Sequence, residues 1–323
     1  MKILITGTAG FIGFSLAKFL LEKKYTIIGC DVQNNYYDVK LKKSRLNILK
    51  KNKKYFHFQK DLSKRQDIEN IFEKFKITAV IHLAAQPGVR YSITNPDAYI
   101  KSNLNSFVNL IDISAKKKIK NFIYASSSSV FGNQKKLPYS ENDRTDFPES
   151  LYAATKKSNE LIAHSYSSLY KMRTTGIRFF TIYGPWGRPD MAYFKFTKSI
   201  LNNKIIEIYN KGEHSRDFTY IDDAVLGIYK ILKVKLKNNK KLFDIINIGN
   251  NKPEKLKKFI SILENILNKK AKKKLISFQK GDVKKTHASI KYLSKNFKFK
   301  PKTDLTTGLK KFVDWYKTYY NIK

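Results

Sequence analysis

Six apolar runs of five to seven residues punctuate the first 180 positions: KILIT (2–6), YTIIGC (25–30), YFHFQ (55–59), TAVIHL (78–83), NFIYA (121–125) and TTGIRFF (174–180). Between them, apolar residues recur at helical spacing near 11–23, 64–75, 97–117 and 151–170. Strand alternating with helix in this way predicts a parallel, doubly wound α/β sheet with helices on both faces. Beyond Thr181 the period loosens at a turn-rich junction, GPWGRPD (184–190), and helices are expected near 222–233, 253–268 and 304–320. No internal repeat and no flexible linker is present. The pattern divides the chain into a first domain over 1–180, with segments near 220–248 returning to it, and a smaller lobe over 181–323 closing on the sheet's carboxyl edge.

Composition narrows the class. At 323 residues, 42% apolar and 14% aromatic, the chain can bury a substantial core. No apolar run reaches the roughly 18 residues of a membrane span. Glycines interrupt the apolar N-terminus, which lacks a signal-peptide cleavage pattern. Cys30 is the only cysteine, so no intrachain disulfide and no cysteine-rich metal site can form. A cytoplasmic protein without a metal is expected. The net charge of +38 raises the question of nucleic acid. The charge is spread along the whole chain, however, and is carried by 56 lysines against eight arginines. Nucleic-acid readers favour arginine for two-pronged contacts. A solvated lysine surface is the simpler account, and five of the eight arginines fall inside the motifs below.

The run KILIT leads into G-x-x-G-x-x-G at Gly7, Gly10 and Gly13, and then into a helical pattern. Such a turn lets backbone approach a pyrophosphate at a helix N-terminus. A glycine triplet alone is weak evidence. Here it sits at the first strand–helix turn, and Asp31 ends the next strand 18 residues past Gly13. A carboxylate there accepts hydrogen bonds from an adenosine ribose and repels a 2′-phosphate. No arginine lies between Asp31 and Ser44, so NAD is favoured over NADP. Asp61 and Leu62 follow the third strand, where they could flank the adenine. HLAAQ (82–86) ends the fourth strand at the same edge, with His82 read as a packed core residue.

SLYAATKKSNE places Tyr152 and Lys156 four residues apart at the start of a helix, on one face. A phenol with its ordinary pKa near 10 is a poor base at neutral pH, and a nearby ammonium would favour the phenolate. Tyr-x-x-x-Lys also arises by chance; its position after the fifth strand, downstream of a dinucleotide turn, is what singles this one out.

Together GTAGFIG, Asp31, LAAQ, the serine-rich strand end, YAATK and RDFTYIDD resemble the extended short-chain dehydrogenase/reductases, the NAD-dependent nucleotide-sugar epimerases and dehydratases. DVQNNYYDVKLKKSRL, AAQPGVRYS, YASSSSVFG and RFFTIYGPWGRPDMAYFKFT narrow the resemblance to UDP-glucuronate 4-epimerases, over essentially the whole chain. The resemblance implies a Rossmann-type NAD-binding domain and a lobe that holds a UDP-sugar. It implies a catalytic set of Tyr152, Lys156 and Ser127, the serine relaying the sugar's 4-OH proton. It places Gly7, Gly10, Phe11, Ile12, Gly13, Asp31, Asp61, Leu62, Leu83, Ala84, Ala85, Asn103, Ser126, Tyr152, Lys156 and Phe180 around NAD. Arg90, Ser127, Ser128, Ser129, Tyr152, Thr181, Arg188 and Arg216 fall on the substrate side. Arg188 and Arg216 are implied near the pyrophosphate, with an interlobe ion pair as the alternative; Arg90 has no assigned partner.

Dehydratases of this kind carry an acid pair where this chain has Ser128 and Ser129, so dehydration is not expected. Pro87 stands where a small residue is usual, Thr181 where many relatives have Asn, and Lys280 where an Arg is usual. Thr181 and hydroxyls among Ser127, Ser128 and Ser129 are expected around a C5 carboxylate. The leading expectation is reversible 4-epimerisation of UDP-glucuronate to UDP-galacturonate through a 4-keto sugar and tightly bound NAD. The alternatives are a 4-epimerase of UDP-glucose or a UDP-N-acetylhexosaminuronate, a UDP-glucuronate decarboxylase, or an NAD-sensing binding protein of the same fold. The resemblance also implies a homodimer through the 97–117 and 151–170 helices.

Overall fold

The computed structural model describes residues 1–234, 241–277 and 283–322. All six expected strands form: β1 (Lys2–Thr6), β2 (Thr26–Cys30), β3 (Tyr55–Phe58), β4 (Ala79–His82), β5 (Asn121–Ser127) and β6 (Arg173–Phe179). Six more strands follow among the described residues: β7 (Thr181–Tyr183), β8 (Ile205–Tyr209), β9 (Ser215–Tyr220), β10 (Phe243–Ile248), β11 (Pro253–Lys255) and β12 (Lys272–Ile276). The main sheet has seven strands in the order β10-β6-β5-β4-β1-β2-β3, all parallel. The chain winds one way from β1 to β3 and the other way from β4 outward. The carboxyl ends therefore diverge beside β1 and β4, where a ligand crevice opens in such sheets.

Alternation of side chains along each strand fills two separate layers. Ile3 and Ile5 of β1, with Ala79 and Ile81 of β4, pack into one core, whereas Leu4 and Val80 pack into the other. Both faces are covered by helices, which is why these strands read as nearly unbroken apolar runs. The first core continues into the C-terminal part through Tyr183, Phe218, Phe312 and Tyr316. That part holds the small sheet β11-β9-β7 and the pair β12-β8. The N- and C-terminal parts of the chain thus share apolar packing, and β10 places a late segment beside β6.

Three differences from the sequence pattern bear on the site. Strand β5 runs two residues further than expected, to Ser127. The helix expected over 97–117 is broken into Pro96–Tyr99, a π-helical turn Ile100–Asn105, and Ser106–Lys116. A helix over Val39–Lys50, capped by the Asp38 carboxylate, was not anticipated. Its buried face carries Lys42 and Arg45 beside Leu41, Leu46 and Leu49, so two cations interrupt the apolar stripe. Helices Ala192–Leu201 and Lys291–Phe297 also lay outside the expected set.

Candidate active site

The glycine turn is fixed by close approach. Gly7 has φ +79, and a Cβ there would lie 2.8 Å from the Ala84 amide nitrogen. A Cβ on Gly13 would collide with the Gly7 carbonyl oxygen. Helix Phe11–Glu22 therefore starts flush against the end of β1. Gly10 is its N-cap and offers no side chain to its first amides. Those amides, at Phe11, Ile12 and Gly13, face a cavity of about 500 Å³. An anionic pyrophosphate suits that position, so the turn fits a dinucleotide.

Asp31, at the end of β2, accepts hydrogen bonds from Ala9 N (3.0 Å) and Gln33 N (2.7 Å). Burial pushes its carboxyl pKa up; those two amides and the charges of Lys42 and Arg45 oppose the rise. The absence of arginine between Asp31 and Ser44 did not reveal these two cations. Arg45 is wholly buried, and its Nη atoms reach the carbonyls of Ala9, Trp186 and Gly187 and the Tyr37 hydroxyl at 2.6–3.0 Å. Lys42 donates to Asn34 Oδ1 (2.7 Å) and sits over the Tyr37 ring, and burial lowers its pKa to about 8.

Leu83, Ala84 and Ala85 line the same cavity after β4, with Asp61 and Leu62 from the loop after β3. Thr6 Oγ1 accepts from the Leu83 and Ala84 amides and lies 2.8 Å from Nδ1 of His82. His82 is thus a core residue that holds the strand ends, and burial lowers its pKa to about 3. Asn103 does not reach the cavity. Its amide is spent on both backbone groups of Gln86 and on the Thr155 hydroxyl, so it supports the loop from behind.

Strand β5 delivers the serines. Ser126 lines the cavity with its backbone, while its hydroxyl turns away to Glu160 (2.6 Å). Glu160 in turn makes a buried two-pronged pair with Arg178. Ser127 donates to Ser129 Oγ (3.1 Å), accepts from the Ser129 amide (3.1 Å), and lines the cavity together with Tyr152. Burial raises the Tyr152 pKa, and the Ser127 hydroxyl and the Arg188 charge lower it. Lys156 lines the same cavity as Tyr152. It reaches across to the Ala125 carbonyl (3.0 Å), and burial lowers its pKa to about 8.

Phe180, Thr181, Ser128 and Ser129 complete the wall of this cavity. A second cavity of about 1080 Å³ adjoins it, and Tyr36, Gly88, Val89, Thr181, Arg188 and Met191 line both. Arg90 and Arg216 line the second one. Arg90 lies 4.4 Å over the Tyr209 ring, and Arg216 donates to the carbonyls of Ser215 and Lys284. Arg188 pairs with Asp190 at the seam. Lys195, Lys198 and Lys274 add cations that the sequence did not single out. Lys280 lies outside the described residues. Among the described residues, no group of three or more His, Cys, Asp or Glu could hold a metal ion, and no helix is long and apolar enough to cross a membrane.

Comparison with known proteins agrees with this geometry. Residues 3–249 match the NAD dependent epimerase/dehydratase family. The chain is 49% identical to Protein CapI of Staphylococcus aureus, over 99% of both chains. It is 45% identical to UDP-glucuronate 4-epimerase 5 of Arabidopsis thaliana, over 99% of this chain and 76% of that protein. The UDP-glucuronic acid 4-epimerase of Bacillus cereus, solved with UDP-glucuronic acid and NAD, superimposes with a TM-score of 0.92 at 34% identity, covering 99% of this chain and 100% of that one. With its glycine turn, Asp31 and the Tyr152–Ser127 pair on one crevice, this chain belongs to the NAD dependent epimerase/dehydratase family.

Proposed function

We propose that the protein interconverts UDP-glucuronate and UDP-galacturonate by reversible oxidation at C4, with residues 1–180 and a returning segment within 220–248 holding NAD and residues 181–323 mainly holding the UDP-sugar. The observation that carries this reading is that Ser127, Tyr152 and Lys156 line the same cavity as the glycine turn and Asp31. The relatives named as UDP-glucuronate 4-epimerases support the choice of sugar.

When bound, NAD supplies the hydride acceptor, and later the donor, for C4 of the sugar. The chain supplies everything else. Ser127 receives the 4-OH proton and passes it to Tyr152 as general base. Lys156 holds a positive charge below the Ala125 carbonyl, where the cofactor-side wall meets the catalytic helix. The 4-keto sugar must turn over before reduction on its opposite face, and the proton then returns by the same relay. Such a turn requires the nucleotide to be gripped firmly and the ring loosely. The larger cavity, with Arg90, Arg188 and Arg216, meets the first demand, and the short hydroxyls of Ser127, Ser128, Ser129 and Thr181 meet the second. Those hydroxyls also suit the C5 carboxylate, whose hydrogen bonds restrain loss of CO2 from a β-keto acid.

The partner is a UDP-sugar and a second copy of this chain. Val108, Leu161 and Leu169 are exposed on the helices Ser106–Lys116 and Leu151–Tyr170, as a homodimer face would have them. The single cysteine, buried and unpaired, accords with action in the cytoplasm. Incubation with UDP-glucuronate, and separately with UDP-glucose, tests the reading by NMR of the products. UDP-galacturonate from the first is the expected result; turnover of UDP-glucose alone overturns it.

A further inference from the structure

We infer that Asp190 is the positioning residue for Arg188, fixing its guanidinium at the seam between the two cavities so that the sugar nucleotide meets that charge in one orientation. The inference rests on the proposed reaction of a UDP-sugar. Asp190 follows Arg188 by two residues, with Pro189 between them restricting the backbone. Its Oδ1 accepts from Arg188 Nε at 3.0 Å and its Oδ2 from Nη2 at 2.5 Å. Neither bond uses Nη1. A third donor arrives from the other side of the crevice: the Tyr36 hydroxyl lies 3.3 Å from Oδ2. Tyr36 is itself braced by the Tyr91 ring at 5.0 Å and stands against Gly88, where a Cβ would come within 2.7 Å of its hydroxyl. The Arg188 backbone is also held, its amide donating to the hydroxyl of the buried Tyr193 at 3.0 Å.

An arginine side chain has many rotamers, and ordering one at the moment of binding weakens a complex. A planar two-pronged pair with a carboxylate removes that freedom in advance. The pair sits partly shielded, with side-chain exposures of 22% and 26%. Asp190 offsets much of the charge it orients, so what it adds is direction rather than raw attraction. Arg188 bears on both halves of the crevice. It lines both cavities, and its charge also acts on Tyr152. A carboxylate that fixes Arg188 therefore aligns a charge on the anionic ligand with the reacting end of the sugar.

A double-mutant cycle tests this on the NAD-loaded protein, with calorimetric titration of UDP-glucuronate into wild type, R188A, D190A and the double variant. Binding rather than turnover is read, so an inactive R188A still reports. D190A is expected to raise Kd about tenfold or more, as loss of a charge-assisted contact does. It should raise KM more than it lowers kcat. In the R188A background the same change should cost less than about twofold, because the group it orients is gone. D190N preserves the shape and carries the cycle if D190A does not fold; Y36F should cost about two- to threefold. Bound NAD should stay at the wild-type value throughout, and Tm should stay there in D190N and Y36F. Equal losses in the wild-type and R188A backgrounds, or a wild-type Kd in D190A and D190N, overturn the inference. Wild-type protein that binds no UDP-glucuronate instead overturns the choice of sugar, and the same cycle is then run with UDP-glucose.

Discussion

The two cavities are built of different material. The smaller one is walled by backbone: the glycine turn, the ends of β1, β4 and β5, and loops tied back by Thr6, His82 and Asn103, each at most 2% exposed. The larger one is walled by long cationic side chains from loops and short strands, each resting on a neighbour: Arg90 on Tyr209, Arg188 on Asp190, Arg216 on two carbonyls. Sheet register dictates the first wall and leaves it no room to adjust. The second depends on pairs that a ligand can rearrange. A reaction that returns its cofactor unchanged while its sugar turns over is served by that division.

The sharpest break of this contrast is Tyr152→Phe on the rigid side. Loss of the general base should lower turnover at least about 10²-fold, with NAD content and fold nearly unchanged; wild-type rates would remove Tyr152 from the reaction. Asp31→Ala comes next. It removes the acceptor of the Ala9 and Gln33 amides, and NAD should bind about tenfold more weakly with less discrimination against NADP. Fluorescence titration with both cofactors reads this, and unchanged affinities would place the ribose elsewhere. At the seam, Thr181→Ala should raise KM for UDP-glucuronate a fewfold and increase the share of turnovers that end in CO2 and a 4-keto pentose, followed by NMR. Normal epimerisation without extra CO2 would show that other groups hold the carboxylate.

The smallest effect concerns stability. The pKa of Lys156 is lowered from 10.5 to about 8 by burial, so the folded protein releases that proton while the unfolded chain keeps it. Between these values stability should rise with pH, by at most ~1.4 kcal/mol per pH unit, and below about 8 the gain is absent. Relative to Lys156→Met, the wild-type Tm should climb as pH goes from 8 to 10. Parallel curves for the two proteins would show that Lys156 titrates normally.

The same contrast explains what the sequence disclosed. The backbone-built wall depends on short-range order, so glycine spacing, strand ends and a helix-borne Tyr152–Lys156 pair reveal it from residues close together in the chain. Partners were harder to see. The i,i+4 spacing put Tyr152 and Lys156 on one face, but the bond from Lys156 to the Ala125 carbonyl, 31 residues away, has no local signal. Asn103 lay beside the expected site but faces its back, because its amide is consumed by Gln86. Helix Val39–Lys50 escaped notice because Lys42 and Arg45 occupy its buried face, and nothing local tells a buried cation from a solvated one in so lysine-rich a chain. The acceptors that justify burying Arg45 lie 141 and 142 residues further on.

That last separation bears on how the protein is made. A nascent chain emerging from the ribosome has Ala9 and Arg45 long before Trp186 and Gly187. Until those carbonyls arrive, docking the helix Val39–Lys50 would bury a guanidinium short of acceptors, at a cost of several kcal/mol. Strand β10, the outer neighbour of β6, is later still. The seating of this helix is therefore completed only after residue 187 has been made, and fragments ending before residue 186 should hold NAD more weakly than the full chain.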